Sequence, residues 1–239
     1  MSDWFESWFG EDYVALYPHR DAAEAEHAVE LIERYVESSP RTRVLDLACG
    51  GGRHARVLST RWKTTGLDLS SVLLRLARRE APDAEFVRGD MRVLPFRKSA
   101  FGLVVNLFTS FGYFETDEEH HAVLREVGRV TSTDGIFVLD FLNAPLLSRT
   151  LVPYDEVESD GRIVEQRRSI TDDGRFVIKR ICIRGESREF VERVRLFGPD
   201  DLHEMFDEGG FAISAEFGDY DGSSFTEDSP RMIVVGRRR

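Results

Sequence analysis

The sequence has few cysteines, no long apolar run and no excess of positive charge. Its two cysteines, Cys49 and Cys182, are too few for a disulfide framework, so reduced thiols in a cytoplasmic protein are expected. No run approaches the roughly 18 apolar residues of a membrane-spanning helix, and the N-terminus M-S-D-W-F-E-S-W-F-G lacks the basic and apolar regions of a signal peptide. The formal net charge of −11 argues against a general nucleic-acid binder, because phosphate neutralisation dominates such affinity. We therefore expect a soluble protein without a membrane partner.

The signatures of several catalytic classes are also missing. No His/Cys cluster has the spacing of a metal site, so no metal is expected. There is no G-x-S-x-G turn to carry a nucleophilic serine. His120 and His121 lie in a charged helix start, and we expect them to be solvated. The 239 residues suffice for one α/β domain with a small extra lobe.

The stretch from Arg43 to Leu58, R-V-L-D-L-A-C-G-G-G-R-H-A-R-V-L, predicts a buried strand, a glycine turn and a helix. Glycine suits such a turn because positive φ costs it little and no Cβ blocks a ligand. The turn lacks the Gly-Lys-Ser/Thr ending of a phosphate-binding loop and the G-x-G-x-x-G of a dinucleotide site. Asp46, two residues before the turn, suits a ligand that carries an ammonium group and no pyrophosphate.

Further apolar stretches predict four more strands, separated by helices or turns. These strands cover residues 64–68, 85–88, 101–108 and 136–141, and a helix is expected over 117–130. The alternation predicts a parallel sheet with right-handed crossovers. Asp68 ends the second strand 22 residues after Asp46, about where an acid binds the hydroxyl groups of a ribose.

The motif V-L-D-L-A-C-G-G-G at 44–52 resembles the first motif of the class I S-adenosyl-methionine (SAM)-dependent methyltransferases, with Ala48 in place of the family's usual glycine. The resemblance implies SAM as the cofactor and an α/β fold, with a Rossmann-like, mostly parallel seven-stranded sheet flanked by helices. It also implies that Asp90 accepts a hydrogen bond from the adenine amino group, while Met91 packs on the ring. In similar proteins a Tyr-rich N-terminal segment closes over the cofactor, and Arg20 would match the methionine carboxylate. The predicted cofactor-binding residues are Tyr13, Tyr17, Arg20, Asp46, Ala48, Cys49, Gly50, Gly52, Asp68, Leu69, Asp90, Met91, Asn106 and Leu107.

The run F-T-S-F-G-Y at 108–113 resembles F-S-S-V-G-Y of N-methyltransferases that act on nucleotide-linked amino sugars. The N-P-P-Y or D-P-P-Y of enzymes that methylate nucleobase amines is replaced here by N-L-F-T. We therefore expect methyl transfer to a small-molecule acceptor, at nitrogen, by in-line displacement. Tyr17, His19 and Tyr113 are the candidate catalytic residues, acting as a general base where the acceptor arrives protonated. Two alternatives stay open: an RNA or protein methyltransferase, and a SAM-binding module without transferase activity.

The remaining segments lie outside the predicted SAM-binding, Rossmann-like core at 41–150. Residues 1–40 are rich in aromatic side chains at their start, and they fit a helical lid or a helix capping the core equally well. Residues 151–198 alternate in polarity and predict an antiparallel β insert of three or four strands after the fifth strand, and 199–239 complete the core sheet. Within 162–197, ten basic residues stand against six acidic ones. This charge favours a solvated sheet face or a homodimer contact over a face for an acidic partner such as a nucleotide diphosphate or RNA.

Overall fold

The computed structural model describes residues 4–16, 22–36, 41–159 and 161–239, which form eight α-helices and eleven β-strands. The helices are α1 (Trp4–Trp8), α2 (Glu11–Leu16), α3 (Ala22–Tyr35), α4 (Arg53–Ser59), α5 (Ser71–Glu80), α6 (Asp117–Val130), α7 (Ala144–Thr150) and α8 (Pro199–Glu208). The strands are β1 (Arg43–Leu47), β2 (Lys63–Asp68), β3 (Glu85–Arg88), β4 (Phe101–Asn106), β5 (Thr131–Leu142), β6 (Tyr154–Ser159), β7 (Arg162–Ile170), β8 (Phe176–Ile183), β9 (Glu189–Arg195), β10 (Phe211–Phe217) and β11 (Arg231–Arg238).

Seven strands form one sheet in the order β10-β11-β5-β4-β1-β2-β3. β1 pairs in parallel with β2 on one side and with β4 on the other, so the direction of winding reverses at β1. Only β11 runs antiparallel to its neighbours β5 and β10. Open α/β sheets bind their ligands beyond the carboxyl ends of the strands at such a reversal. The predicted seven-stranded, mostly parallel fold is confirmed.

Apolar side chains cover both faces of this sheet. Leu45 and Val104 belong to a cluster that also includes side chains of α6 and α8. Val44 and Leu103 point to the other face, where α3 and α4 complete a second cluster. Neighbouring strand residues alternate between the two clusters, as expected for strands that are buried on both faces. α3 therefore packs on the face opposite to α1, whose Phe5 joins the first cluster.

The predicted insert is a separate antiparallel sheet of four strands in the order β6-β7-β8-β9. It follows β5 and α7, a helix that the sequence patterns did not predict. The buried side chains Val164 and Ile181 of the insert share a cluster with Trp8 of α1 and Tyr13 of α2. The two short N-terminal helices thus pack between the insert and the edge of the main sheet.

The prediction that His120 is solvated is wrong. Its side chain is fully buried against the rings of Phe111, Phe114 and Phe197. Nδ1 donates a hydrogen bond to the Thr116 carbonyl at 2.8 Å, and burial lowers the pKa of the ring to about 4. The helical period explains the error, because the fourth residue of a helix can lie on its apolar face despite acidic neighbours in the sequence.

Candidate functional site

A cavity of about 840 Å³ opens at the carboxyl ends of β1, β2, β3 and β4. α1, the turn after it and α2 cover it with Phe5, Phe9 and Tyr13, and β9 closes another side with Glu192 and Val194. Ten of the predicted site residues line this cavity: Tyr13, Ala48, Cys49, Gly50, Asp68, Leu69, Asp90, Met91, Leu107 and Tyr113. Residues at the ends of four strands, β1 to β4, therefore meet at one site although they are widely separated in the sequence.

The glycine turn after β1 forms the floor of the cavity. Ala48 and Gly50 both have positive φ, of 57° and 55°, and both border the cavity. A Cβ added at Gly50 would meet no atom within 4 Å, so this part of the turn faces open space that a ligand can enter. Cys49 lies between them; burial, followed by the charge of Asp46, raises the pKa of its thiol, so it is not a thiolate nucleophile.

Gly52 has a different role from the one predicted. It does not line the cavity, and a Cβ there would lie 2.9 Å from Cα of Ala77 in α5. Its φ of 86° and this close approach both require glycine. Gly52 therefore allows the start of α4 to pack closely on α5, on the side of the turn away from the cavity.

Asp68 ends β2 with its carboxylate fixed by the backbone. Oδ2 accepts a hydrogen bond from Gly50 N at 2.8 Å, and Oδ1 accepts one from Ser70 N at 2.8 Å. Burial raises the pKa of this carboxyl, and the backbone N–H groups of Ser70, Gly50 and Leu69 oppose that change. Asp68 lines the cavity, and a carboxylate can accept from both vicinal hydroxyls of a ribose. This pair of acceptor oxygens therefore fits the ribose of SAM.

Asp46 and Asn106 are buried behind the cavity wall. Neither residue lines the cavity, and each is about 1 % exposed. Nδ2 of Asn106 donates to the Leu47 carbonyl at 2.8 Å and so ties β4 to β1. Among the residues that the structure describes, Oδ2 of Asp46 has no hydrogen-bond partner. Both residues were predicted to bind the cofactor; they lie behind the cavity lining, where Asn106 ties two strands together, and their contact with the cofactor stays a prediction.

Asp46 should make folding depend on pH. Burial, and then the charge of Asp68, raise the pKa of its carboxyl from 3.8 to about 7. The folded state favours the protonated form, so its stability falls as pH rises from about 4 to about 7. Between about pH 5 and about pH 8 the wild type should lose on the order of 2–3 kcal/mol more than Asp46→Asn, measured by urea unfolding. Glu80→Gln, at an exposed carboxyl on the cavity rim, is the control. Equal losses in Asp46→Asn and the wild type would contradict the assignment.

Asp90 lines the cavity, but its carboxylate is already engaged. Arg92 donates to it through Nη2 at 2.6 Å and through its backbone N at 2.8 Å, and its Nη1 reaches Glu119 at 2.6 Å. An adenine amino group would share the carboxylate with this guanidinium group. Met91 follows at the same wall, beside the predicted position of the ring.

Tyr113 lies under an aromatic cover. Trp4 donates from Nε1 to the Tyr113 carbonyl at 3.2 Å, and the ring of Phe9 stacks on the Tyr113 ring at 5.5 Å between centroids. The other predicted catalytic residues, Tyr17 and His19, and the predicted carboxylate partner Arg20 lie outside the described residues.

Glu192 is a cavity residue that the sequence analysis did not select. Its Oε1 accepts a hydrogen bond from Trp8 Nε1 at 2.8 Å, and its Oε2 lies 3.6 Å from Lys179 Nζ. The charged residues of β9 were interpreted as an outer face. The sequence did contain a signal that Glu192 faces inward: Phe190 and Val194, which lie on the same face of the strand, are apolar.

Within the described ranges, no group of three or more His, Cys, Asp or Glu side chains could hold a metal ion. The polar side chains at the cavity are instead separate carboxylates, two tyrosines, Arg53, His54, Arg56, Thr109 and Ser110, set among aromatic and aliphatic groups. Such a lining suits an organic cofactor and an organic acceptor.

Comparison with known proteins finds a methyltransferase domain in the chain. Residues 44–135 match the model of a methyltransferase domain. The chain is 35% identical over 146 residues to dTDP-3-amino-3,4,6-trideoxy-alpha-D-glucopyranose N,N-dimethyltransferase of Streptomyces venezuelae, covering 60% of each chain. It is 35% identical over 132 residues to dTDP-3-amino-3,6-dideoxy-alpha-D-glucopyranose N,N-dimethyltransferase of Streptomyces fradiae, covering 55% of this chain and 48% of that one. The chain thus spans about half to three fifths of these relatives' length.

A solved structure shows the same fold. SAM-bound CalS10, an amino pentose methyltransferase from Micromonospora echinaspora, superposes with a TM-score of 0.71 over 96% of this chain and 97% of that one, at 24% identity. The methyltransferase domain expected from the first motif is confirmed at residues 44–135, within a chain that has the fold of SAM-dependent methyltransferases.

Proposed function

We propose that this protein transfers the methyl group of SAM to the amine nitrogen of a nucleotide-linked amino sugar. The observation that carries the proposal is the 35% identity to two N,N-dimethyltransferases whose named substrates are dTDP-amino sugars. The F-T-S-F-G-Y run, which suggested the same acceptor class, lies on the cavity wall through Phe108, Thr109, Ser110 and Tyr113. Acceptor and cofactor would therefore share one cavity.

The residues of the chain would bind and align the reactants. SAM, when bound, supplies a methyl group already activated on a sulfonium. Asp68 would hold the ribose, and Phe5 and Phe9 of the N-terminal cover would exclude water. We propose in-line displacement: the amine nitrogen forms a bond to the methyl carbon, the carbon–sulfur bond breaks, and its electron pair stays on sulfur.

The amine must lose a proton after it gains the methyl group. We propose Glu192 as an acceptor of this proton, because its carboxylate lines the cavity; Oε1 accepts from Trp8 Nε1, and Oε2 is ion-paired with Lys179 Nζ at 3.6 Å. Tyr113, and Tyr17 and His19 beyond the described residues, remain the bases proposed from the sequence. For Glu192, the Glu192→Gln variant should lower kcat and leave the affinity for S-adenosyl-homocysteine unchanged, whereas an unchanged kcat would remove Glu192 from the reaction.

The basic insert gives little support to an RNA or protein acceptor. At least eight of its ten basic side chains form ion pairs with carboxylates of this chain, which reduces the positive charge available to a phosphate backbone. They are Arg167, Arg168, Arg175, Lys179, Arg180, Arg184, Arg188 and Arg195.

In the described part of the chain, no helix has both the length and the apolar composition to cross a membrane. We propose that the protein works in the cytoplasm, where its small-molecule substrates would be made.

Mass spectrometry of a single reaction tests the function. The protein is incubated with SAM and dTDP-3-amino-3,6-dideoxy-α-D-glucopyranose, and we expect the sugar to gain one or two methyl groups. The matched substrate control carries a hydroxyl at the same carbon and should stay unmodified. Methylation of the hydroxyl sugar but not of the amine would contradict transfer to nitrogen. Tight binding of S-adenosyl-homocysteine without turnover on any amine would favour a binding module.

A further inference from the structure

Two adjacent residues at the end of β4 adopt a conformation that their side chains disfavour. Phe108 has φ 63° and Thr109 has φ 58°, and both line the cavity. Left-handed φ brings Cβ close to the following carbonyl oxygen, and it costs on the order of 1–3 kcal/mol for each such residue. Phe108 and Thr109, called here the 108–109 turn, therefore need support from elsewhere in the fold.

Asp140 on the neighbouring strand β5 gives this support. Its Oδ2 accepts a hydrogen bond from Phe108 N at 2.8 Å, and its backbone carbonyl accepts one from Thr109 N at 3.1 Å. One fully buried residue thus receives both N–H groups of the turn. A carboxylate accepts from a backbone donor more strongly than a neutral oxygen, so it can offset part of the conformational cost.

The Asp140 carboxylate is itself held in place. Tyr220 donates from its hydroxyl to Oδ2 at 2.6 Å, and Nη1 of Arg231 lies 3.2 Å from both oxygens. Arg231 also donates to Glu24 of α3. Tyr220, Arg231 and, through Arg231, Glu24 therefore hold the Asp140 carboxylate in place. Neither these three residues nor Asp140 line the cavity.

The same network fixes the ring of Phe108. Glu24 accepts from Nη1 of Arg53 at 2.8 Å, and the Arg53 guanidinium lies 4.5 Å from the centre of the Phe108 ring. The Arg231 guanidinium lies 5.2 Å from the same ring. Both contacts are within the range of cation–π attraction. Backbone and side chain of Phe108 are thus positioned by one set of charges.

The position of the turn in the sheet indicates which reactant it serves. β4 lies on one side of β1, whereas Asp68 ends β2 on the other side. The 108–109 turn therefore borders the half of the cavity away from the carboxylate that fits the ribose. We propose that Asp140 is a positioning residue for the methyl acceptor: it holds the 108–109 turn, and with it the acceptor wall, without touching either reactant. This inference rests on the proposed amine methyltransferase function.

A double-mutant cycle tests the support without any turnover. Asp140→Asn keeps the shape of the side chain, but it loses the charge and turns an NH₂ group toward Tyr220, Arg231 or Phe108 N. We expect it to lower the urea midpoint of unfolding. Phe108→Gly should make that loss smaller, because the carboxylate accepts from Phe108 N and glycine adopts positive φ without support. Equal losses with Phe108 and with glycine would overturn the proposal. If Asp140→Asn alone does not fold, the double variant should fold, and failure of both would also overturn it.

A second experiment separates an effect on acceptor binding from an effect on cofactor binding. For Asp140→Asn we expect the KM for dTDP-3-amino-3,6-dideoxy-α-D-glucopyranose to rise roughly tenfold or more, while the dissociation constant of S-adenosyl-homocysteine stays at its wild-type value. Parallel changes in both constants, or no change in KM, would overturn the assignment to the acceptor. If the wild type methylates no amine, the proposed function fails, and the urea cycle alone decides whether Asp140 supports the turn.

Discussion

Asp68→Ala is expected to weaken the binding of S-adenosyl-homocysteine by roughly 10- to 100-fold, because a charge-assisted pair of hydrogen bonds to the ribose is worth about 1.5–3 kcal/mol. The carboxylate is suited to this role since Gly50 N and Ser70 N already fix both of its oxygens at 2.8 Å. The ligand therefore meets acceptors that need no reorganisation. Isothermal titration of the wild type and the variant measures the difference directly.

Asp68→Asn should bind no better than Asp68→Ala. An amide has one acceptor oxygen, so its NH₂ group would face either Gly50 N or Ser70 N, donor against donor. The control is Glu80→Ala, which removes an exposed carboxylate from the rim of the same cavity and should bind as the wild type does. Thermal unfolding of each free variant shows that the protein is folded before titration. Wild-type affinity in a folded Asp68→Ala variant would remove this residue from the cofactor site.

The main sheet could be predicted because its signals are local. The strand Glu85–Arg88 and the helix Asp117–Val130 have the predicted bounds. The helix begins where Thr116 and Glu119 form a capping box, in which each side chain accepts from the other residue's backbone N–H. The cavity floor was predictable for the same reason, since Gly50 and Asp68 lie at strand ends that the apolar pattern marks.

What could not be predicted depends on contacts between distant segments or on side-chain direction. Asp46 is the residue before the last one of β1. Because side chains alternate between the two faces of a strand, its side chain is buried behind the turn, which its position in the sequence did not indicate. Phe and Thr are residue types that argue against positive φ, so nothing local indicates the conformation of Phe108 and Thr109. It depends on Asp140, which lies 32 residues beyond Phe108 in the sequence.

Gly128→Ala is expected to destabilise the protein by about 2–3 kcal/mol, although helix propensity alone predicts a gain of about 1 kcal/mol. Gly128 lies inside α6, where an added Cβ would be 2.1 Å from the carbonyl oxygen of Gly209 at the end of α8. Since that oxygen belongs to the backbone, it cannot rotate away, and α8 has to shift. The carbonyl of Gly128 also accepts from Nε of Arg238 in β11 at 2.9 Å, so the shift would strain the antiparallel edge of the sheet.

The sign of the change in unfolding free energy distinguishes a packing clash from an effect of helix propensity. Urea unfolding of Gly128→Ala should give a lower midpoint with an unchanged slope, because the surface exposed on unfolding is the same. Gly10→Ala is the matched control: the nearest atom to its added Cβ is the Ser7 carbonyl oxygen at 3.9 Å, so the extra methyl group meets no obstacle. A Gly128→Ala protein as stable as the wild type, or more stable, would mean that α6 and α8 are farther apart than the Gly128–Gly209 approach requires. The close helix contact that supports β5 from one face of the sheet would then have to be revised.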